Sequence, residues 1–155
     1  MKDVPRALAI GKAELLQHSE HDRVAIFALG AMVPMAMEVA AKLESEGVSA
    51  AVINARFAKP IDSEMVAFYA EHVDVILTLE DHVLAGGFGS AVLEAVSGLG
   101  LRTPVVRIGW PDQFIEHGKP EALRDKYGVS VAAALNKLRP HLMPSGVPRD
   151  LVREP

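Results

Sequence analysis

The stretch VAIFALGAMVPMAMEVAAKLESEG, residues 24–47, decides the fold class of this 155-residue chain. Its first six residues form a continuous apolar run, which is typical of a strand covered on both faces. After Gly30, apolar residues recur at three- and four-residue steps, and this spacing predicts a helix from about Met32 to Glu46. Gly47 can end that helix in a left-handed conformation. The stretch therefore predicts a buried strand, a turn and an amphipathic helix.

The same alternation continues along most of the chain. Further strands are predicted at residues 48–54, 73–79 and 105–108, with residues 11–16 as a candidate edge strand. Helices follow them, with Asp62 and Ser130 as candidate N-caps and with Pro120 and Gly128 as candidate first and terminating residues. This order predicts a three-layer α/β/α domain over residues 1–139 with a mainly parallel sheet. Four of the ten prolines lie in residues 140–155, which we expect to be a disordered tail.

Composition excludes several classes of function. The chain has no cysteine, which rules out disulfides, thiolate metal sites and cysteine nucleophiles. Its formal net charge of −4 provides no basic footprint for nucleic acid. The longest apolar run, residues 24–37, is shorter than the roughly 20 residues of a spanning helix, and the N-terminus lacks the apolar core of a signal peptide. We therefore expect a cytoplasmic protein that binds neither nucleic acid nor membrane.

Charged residues follow the ends of the predicted strands. In a parallel α/β sheet, ligands and partners usually meet the loops at the carboxyl ends of the strands. The predicted loops there are residues 30–32, 55–60, 80–90 and 109–118. Their charged and titratable members are Arg56, Lys59, Glu80, Asp81, His82, Asp112, Glu116 and His117. We take this carboxyl edge of the sheet as the candidate functional surface.

Two features of the edge allow more than one interpretation. The guanidinium of Arg56 could bind a phosphate or carboxylate, or it could pair with Glu80, with Asp112 as the alternative partner. Lys59 is more simply a solvated loop charge. The glycine-rich turn AGGFGS, residues 85–90, could place backbone amides against an anion, but its spacing fits neither a dinucleotide-binding motif nor a P-loop. Close strand-to-helix packing is the favoured interpretation of that turn.

Histidines and aromatic residues add candidates of a different kind. Of six scattered histidines, only His82 and His117 lie on the carboxyl edge. Half of the eight aromatic residues also lie in the edge loops, and aromatic residues concentrated in loops are typical of a docking surface. These four residues are Phe57, Phe88, Trp110 and Phe114. Covering the ends of the core is an equal alternative for Phe57 and Phe88.

Four segments together carry a family resemblance. They are IGKAELL (10–16), INARFAKPID (53–62), TLEDHVLAGGFGSAVLE (78–94) and RIGWPDQFIEHG (107–118). In this order and spacing they resemble the C-terminal domain of 1-deoxy-D-xylulose-5-phosphate synthase, in the transketolase superfamily, over about residues 8–138. The resemblance implies five strands, the first antiparallel to the others. The family pattern differs at residues 81–82, so the resemblance assigns His82 no fixed role.

The resemblance also implies an activity for a longer parent protein. Such synthases use thiamine diphosphate and magnesium to decarboxylate pyruvate and join its two-carbon unit to glyceraldehyde 3-phosphate, for isoprenoid and thiamine biosynthesis. The superfamily's Gly-Asp-Gly…Asn motif for the metal and diphosphate is missing from this sequence. We therefore expect this chain alone to be inactive and to bind no cofactor or metal. Its expected role is to brace the N-terminal cofactor-binding domains, of the same or a companion chain, and to complete a homodimer.

Alternatives remain open at this point. The chain could instead be the C-terminal domain of a transketolase or of a 2-oxo-acid dehydrogenase beta subunit, since these share the fold. It could also be an independent anion-binding or regulatory module. Whether it is a fragment, one chain of a split enzyme or an independent unit is not decided by the residues.

Overall fold

A computed structural model describes residues 7–142 and places five strands in one sheet. The strands are β1 (Glu14–Gln17), β2 (Val24–Ala28), β3 (Ala50–Asn54), β4 (Val75–Val83) and β5 (Val105–Trp110). Their order across the sheet is β1-β3-β2-β4-β5. β1 runs antiparallel to β3, and all other neighbours are parallel. The predicted five-stranded, mainly parallel sheet with one antiparallel edge strand is confirmed.

Helices connect the strands, and local sequence signals mark their ends. They are α1 (Val33–Ser45), α2 (Ser63–His72), α3 (Phe88–Gly98), α4 (Pro120–Tyr127) and α5 (Val131–Leu138). The Asp62 carboxylate accepts a hydrogen bond from the Met65 amide at 3.2 Å, and Ser130 caps α5 in the same way. Gly128 ends α4 with a φ of +73°. These caps agree with the sequence prediction.

The hydrophobic core forms two layers, one on each face of the sheet. Alternate residues of β2 point to opposite faces, so Ile26 packs in the layer with α1 and α5, whereas Phe27 packs in the layer with α2 and α3. All five residues of β2 are buried, as expected for the central strand of a sheet covered on both sides. The result is the predicted α/β/α arrangement.

Two strands are longer than the sequence predicts. β4 continues to Val83 and β5 to Trp110, and these two end residues pair with each other after a register shift beyond Leu79. The polar residues at the end of β4 have the composition of a loop, but they continue the strand up to its last pair with β5. The extension decides the site, because alternation along β4 directs Glu80 and His82 to one face and Asp81 to the other.

The C-terminal end of the described chain remains part of the fold. Residues Arg139–His141 form a short 3-10 helix, and Leu142 packs against the core layer that contains α5. Residues 1–6 and the rest of the predicted tail, 143–155, lie outside the described residues. Within residues 7–142, no helix is long and apolar enough to cross a membrane.

Candidate functional site

A buried carboxylate organises the carboxyl edge of the sheet. The Glu80 side chain is completely buried at the end of β4. Its Oε2 accepts a hydrogen bond from the Phe88 amide at 2.6 Å, and its Oε1 accepts one from the Gly89 amide at 2.8 Å. Both amides belong to the first turn of α3, whose N-cap residue has no side chain to satisfy them. Glu80 therefore caps α3 from a neighbouring strand, with its negative charge at the positive end of the helix dipole.

The glycines of the AGGFGS turn make room for this carboxylate. A Cβ atom on Gly87 would lie 2.2 Å from Glu80 Oε2, and one on Gly89 would lie 2.6 Å from Thr78 Oγ1. Gly109 on β5 closes the other side, where a Cβ atom would lie 2.9 Å from Glu80 Cγ. The structure confirms the packing interpretation of the turn. The anion at the start of α3 is the protein's own side chain.

Arg56 does not pair with Glu80 or Asp112, so that prediction is wrong. Its Nη2 lies 2.6 Å from Glu14 Oε2 on β1. The strand order explains the error, because β2 separates β3 from β4 while β1 lies directly beside β3. Arg56 has a φ of +58°, and its amide donates to Asn54 Oδ1 at 3.2 Å, which holds the chain in this turn. Arg56 thus belongs to the outer edge of the sheet.

Lys59 and His82 face an open groove of about 760 Å³ beside Glu80. The groove runs between residues 58–63 and α3, and its walls are mostly apolar. Both side chains are exposed, and His82 Nδ1 lies 3.1 Å from the Val83 carbonyl oxygen. The main apolar lining residues are Ala58, Ile61, Phe88, Ala91 and Ala95. We refer to this feature as the α3 groove.

Trp110 lies on the opposite face of the sheet from the α3 groove. It is the last residue of β5, and its indole Nε1 donates to Asp81 Oδ1 at 2.7 Å. The other oxygen of Asp81 accepts from Arg124 Nη2 at 2.8 Å, and the Tyr127 ring lies 6.1 Å from the Trp110 ring. The prediction that Trp110 lies in a loop is wrong, because this residue pairs with Val83 at the end of β5 and its side chain packs against the core.

The loop after β5 is fastened to α4 by Glu116. Its carboxylate accepts hydrogen bonds from Lys126 Nζ and from the Tyr127 hydroxyl. The bond from Lys126, followed by that from Tyr127, lowers the pKa of Glu116 to about 2. Phe114, two residues earlier, is 94% exposed. The loop is thus held at one end while it presents a large apolar side chain to solvent.

Apart from Trp110, which lies on the opposite face of the sheet, the candidate residues divide into three places. Lys59, Glu80 and His82 meet at the α3 groove, and Arg56 lies at the β1 edge. Asp112, Phe114 and His117 are exposed on the loop after β5. Of the four aromatic candidates, Phe88 is core, Phe57 is half-buried and Trp110 is packed, so Phe114 remains as the exposed one. Arg124 and Tyr127 are not among the residues that the sequence predicts for the site. Their i, i+3 spacing, which puts both on one side of α4, was the available signal.

The donor groups present do not fit a magnesium–diphosphate group. Within residues 7–142, no group of three or more His, Asp or Glu side chains is placed to hold a metal ion. The first turn of α3 is filled by the Glu80 carboxylate. At the carboxyl edge the described residues present the α3 groove and the exposed side chain of Phe114.

Comparison with known families identifies this architecture. The sequence profile of the transketolase C-terminal domain matches residues 11–133. The chain belongs to the transketolase C-terminal domain family. Two curated relatives that it matches are named as synthases. A 1-deoxy-D-xylulose-5-phosphate synthase of Acidobacterium capsulatum is 57% identical over 142 residues, which are 92% of this chain and 22% of that protein. The synthase of Methylacidiphilum infernorum is 56% identical over 137 residues, 88% of this chain and 21% of that protein.

Solved structures agree with the assignment to the transketolase C-terminal domain family. A structure described as a split gene transketolase, inactive beta4 tetramer, superposes with a TM-score of 0.79 at 36% identity, over 87% of this chain and 43% of that chain. A transketolase from Campylobacter jejuni has a TM-score of 0.59 at 20% identity over 84% of this chain and 18% of that chain, which shows the shared fold. The resemblance to the synthase C-terminal domain is confirmed, and the chain spans about a fifth of the length of the curated relatives it matches.

Proposed function

We propose that this chain works as the C-terminal domain of a thiamine-diphosphate-dependent synthase in the cytoplasm. The parent reaction joins pyruvate and glyceraldehyde 3-phosphate into 1-deoxy-D-xylulose 5-phosphate with loss of carbon dioxide. The observation that carries this proposal is the 57% identity to one synthase over 92% of this chain. The match to the split gene transketolase is weaker, at 36% identity, which supports a synthase over a transketolase.

The chain's part in that reaction is structural. Thiamine diphosphate and magnesium are assigned to the upstream domains, because no group of three or more His, Asp or Glu side chains within residues 7–142 is placed to hold a metal ion and because the Glu80 carboxylate occupies the first turn of α3. The description of the similar beta4 tetramer as inactive supports this division of labour. An independent anion-binding module is disfavoured, since the Glu80 carboxylate already occupies the place such an anion would take.

The carboxyl edge is the surface that meets the upstream domains. A 94% exposed phenylalanine on a loop fastened by Glu116 is a typical anchor for a partner protein. Asp112 and His117 on the same loop supply a polar rim. We propose that Phe114 inserts into the cofactor-binding domains within a homodimer. Without those domains, its exposure should promote weak self-association.

A titration tests the division of labour. Calorimetry of the 155-residue chain with thiamine diphosphate and magnesium should show no saturable binding, whereas the upstream domains of the Acidobacterium capsulatum synthase should bind both. Saturable binding to this chain at micromolar concentrations would overturn the proposal.

A second experiment tests the docking role of the loop. Phe114→Ser should leave unfolding unchanged and weaken any concentration-dependent dimer seen by analytical ultracentrifugation. Ala132→Ser, at another exposed position, is the control. A dimer unchanged by Phe114→Ser would remove this residue from the proposed interface.

A further inference from the structure

The helix α4 is attached to the domain without a buried side chain. In the part of the chain that the structure describes, none of its eight residues is buried, whereas α1, α2, α3 and α5 each bury at least two. Packing of an apolar face is what holds most protein helices in place. The position of α4 on the sheet therefore depends on a small number of individual contacts.

The Asp81 carboxylate makes the polar contacts that join α4 to the sheet. One oxygen accepts from Trp110 Nε1 at 2.7 Å, and the other accepts from Arg124 Nη2 at 2.8 Å. The Asp81 and Arg124 side chains are each 37% exposed, so water competes for this ion pair. The Nε atom of Arg124 is buried and has no hydrogen-bond acceptor among the described residues, which costs free energy while α4 stays in place. The Tyr127 ring, 6.1 Å from the Trp110 ring, adds an aromatic contact.

The loop before α4 is tied to the helix, so that the two form one unit. The Glu116 carboxylate accepts hydrogen bonds from Lys126 Nζ and from the Tyr127 hydroxyl. A Cβ atom on Gly118 would lie 3.2 Å from Leu123 Cγ, which shows that the loop backbone packs directly against α4. These contacts join the loop to the helix and do not involve the sheet. They can persist when the unit moves away from the sheet.

Anchored residues bound this unit on both sides. Trp110 pairs with Val83 at the end of β5, and its carbonyl oxygen accepts from the Leu84 amide at 2.9 Å. After α4, Val129 is 1% exposed and belongs to the core. Gly128, between α4 and Val129, has a φ of +73°, and a glycine can change its backbone angles at little steric cost. Gly128 can therefore act as a hinge.

We propose that residues 111–128 form a flap that opens from the sheet as one unit, with Asp81 as its latch. Opening breaks the ion pair between Asp81 and Arg124 and the contact between the Trp110 and Tyr127 rings. It also frees the buried Nε atom of Arg124 to bind water. The contacts of Glu116 keep the loop and α4 together, and the core keeps its structure because α4 contributes no buried side chain to it.

The closed flap also positions Phe114, and this step rests on the proposed function. Phe114 lies on the flap and is 94% exposed. A closed flap holds this side chain in one place, and a pre-organised group binds a partner with a smaller loss of conformational entropy. Asp81 is then a positioning residue for the docking of Phe114 onto the upstream domains.

Native-state hydrogen exchange, followed by NMR on the 155-residue chain, tests the flap. Amides that open locally exchange without unfolding of the whole domain. We expect Leu123 and Tyr127, in the first and last turns of α4, to exchange at least about a hundredfold faster than Ala40 in the buried face of α1, after correction for intrinsic rates. Asp81→Ala should raise the Leu123 and Tyr127 rates by the same factor, about tenfold, because both contacts of the latch are lost. Asp112→Ala, at an exposed aspartate of the flap outside these contacts, is the matched control and should leave both rates unchanged.

A core variant separates flap opening from unfolding of the domain. Ile53→Val, at a fully buried position on β3, should raise the exchange rate of Ala40 about fivefold. It should leave Leu123 and Tyr127 unchanged, because the contacts of Ile53 persist when only the flap opens.

Three results would overturn the proposal. If Ile53→Val accelerates Leu123 and Tyr127 as much as Ala40, α4 opens only with the whole domain. If Asp81→Ala leaves the α4 rates unchanged, Asp81 is not the latch. If it accelerates Tyr127 alone, the helix frays at its end and the flap is not one unit. These measurements use the chain alone, so a flap that behaves as expected beside a dimer unchanged by Phe114→Ser would overturn only the docking role.

Discussion

Glu80→Ala is the substitution whose cost the structure defines best. It removes the acceptor of two buried hydrogen bonds, from the amides of Phe88 and Gly89, at 2.6 and 2.8 Å. A buried donor without a partner costs about 1–3 kcal/mol, so two of them lower the free energy of unfolding by about 2–6 kcal/mol. A water molecule that enters the vacated space would bring the loss toward the smaller figure. Because domains of this kind are stable by only about 5–15 kcal/mol, the effect is large.

Glu80→Gln separates the hydrogen bonds from the volume of the side chain. Glutamine has the same shape, but its amide nitrogen faces one of the two N–H donors. We therefore expect it to lose one bond, with a loss of about 1–3 kcal/mol. Glu71→Ala, at an exposed position on α2, is the matched control and should change stability by less than about 0.5 kcal/mol.

Urea unfolding measures these differences. The fluorescence of the single tryptophan, Trp110, and far-ultraviolet circular dichroism would follow the transition, with linear extrapolation to water. A loss below about 1 kcal/mol for Glu80→Ala, at an unchanged dependence on urea, would refute the view that this carboxylate holds the start of α3.

Three further perturbations follow from the same geometry. Gly87→Ala should destabilise the domain by about 1–3 kcal/mol, because the new Cβ atom would lie 2.2 Å from Glu80 Oε2. Gly98→Ala, whose Cβ atom would meet no atom within 4 Å, is the control and should be neutral or slightly stabilising. Equal urea midpoints for the two variants would contradict this. The Glu116 carboxyl should titrate near pH 2 by NMR, and not near its ordinary pKa of 4.5. The stabilisation from its contacts is therefore complete above pH 4.5 and is lost as the pH falls through 2. A titration midpoint near 4.5 would show that those contacts do not persist in solution. Arg56→Ala should lower the free energy of unfolding by no more than about 1 kcal/mol. A double-mutant cycle should show coupling of Arg56 to Glu14 and none to Glu80, and the reverse pattern would refute this pairing.

Much of the fold could be predicted because the apolar pattern is strong. The run at residues 24–29 has no polar residue, and a central parallel strand needs none. Asp62 and Gly128 were predicted correctly as helix boundaries, since capping and left-handed termination depend on local chemistry. The sequence prediction ends β4 and β5 too early. Strand pairing near the carboxyl edge of the sheet tolerates polar residues that local patterns assign to a loop.

The site was less predictable because its contacts depend on the order of the strands. Arg56 was expected beside Glu80, but β2 lies between their strands, and sequence spacing does not give that order. Glu80 is predicted as a charged edge residue that pairs with Arg56, whereas its partners are backbone amides eight and nine residues later on α3. The glycine-rich turn did carry the signal: glycines before a helix indicate close approach, and the group that approaches is the carboxylate.

A domain exchange tests the central claim most directly. The C-terminal part of the Acidobacterium capsulatum synthase, 57% identical to this chain, is replaced by this chain, and carbon dioxide release is measured with pyruvate and glyceraldehyde 3-phosphate. The C-terminal domain of the Campylobacter jejuni transketolase, with the same fold at 20% identity, serves as the control insert. We expect the exchange with this chain to retain activity within about tenfold of the parent synthase, a change of about 1.4 kcal/mol, and the control insert to lose it. A folded exchange protein no more active than the control would contradict the assignment of this chain as a synthase C-terminal domain.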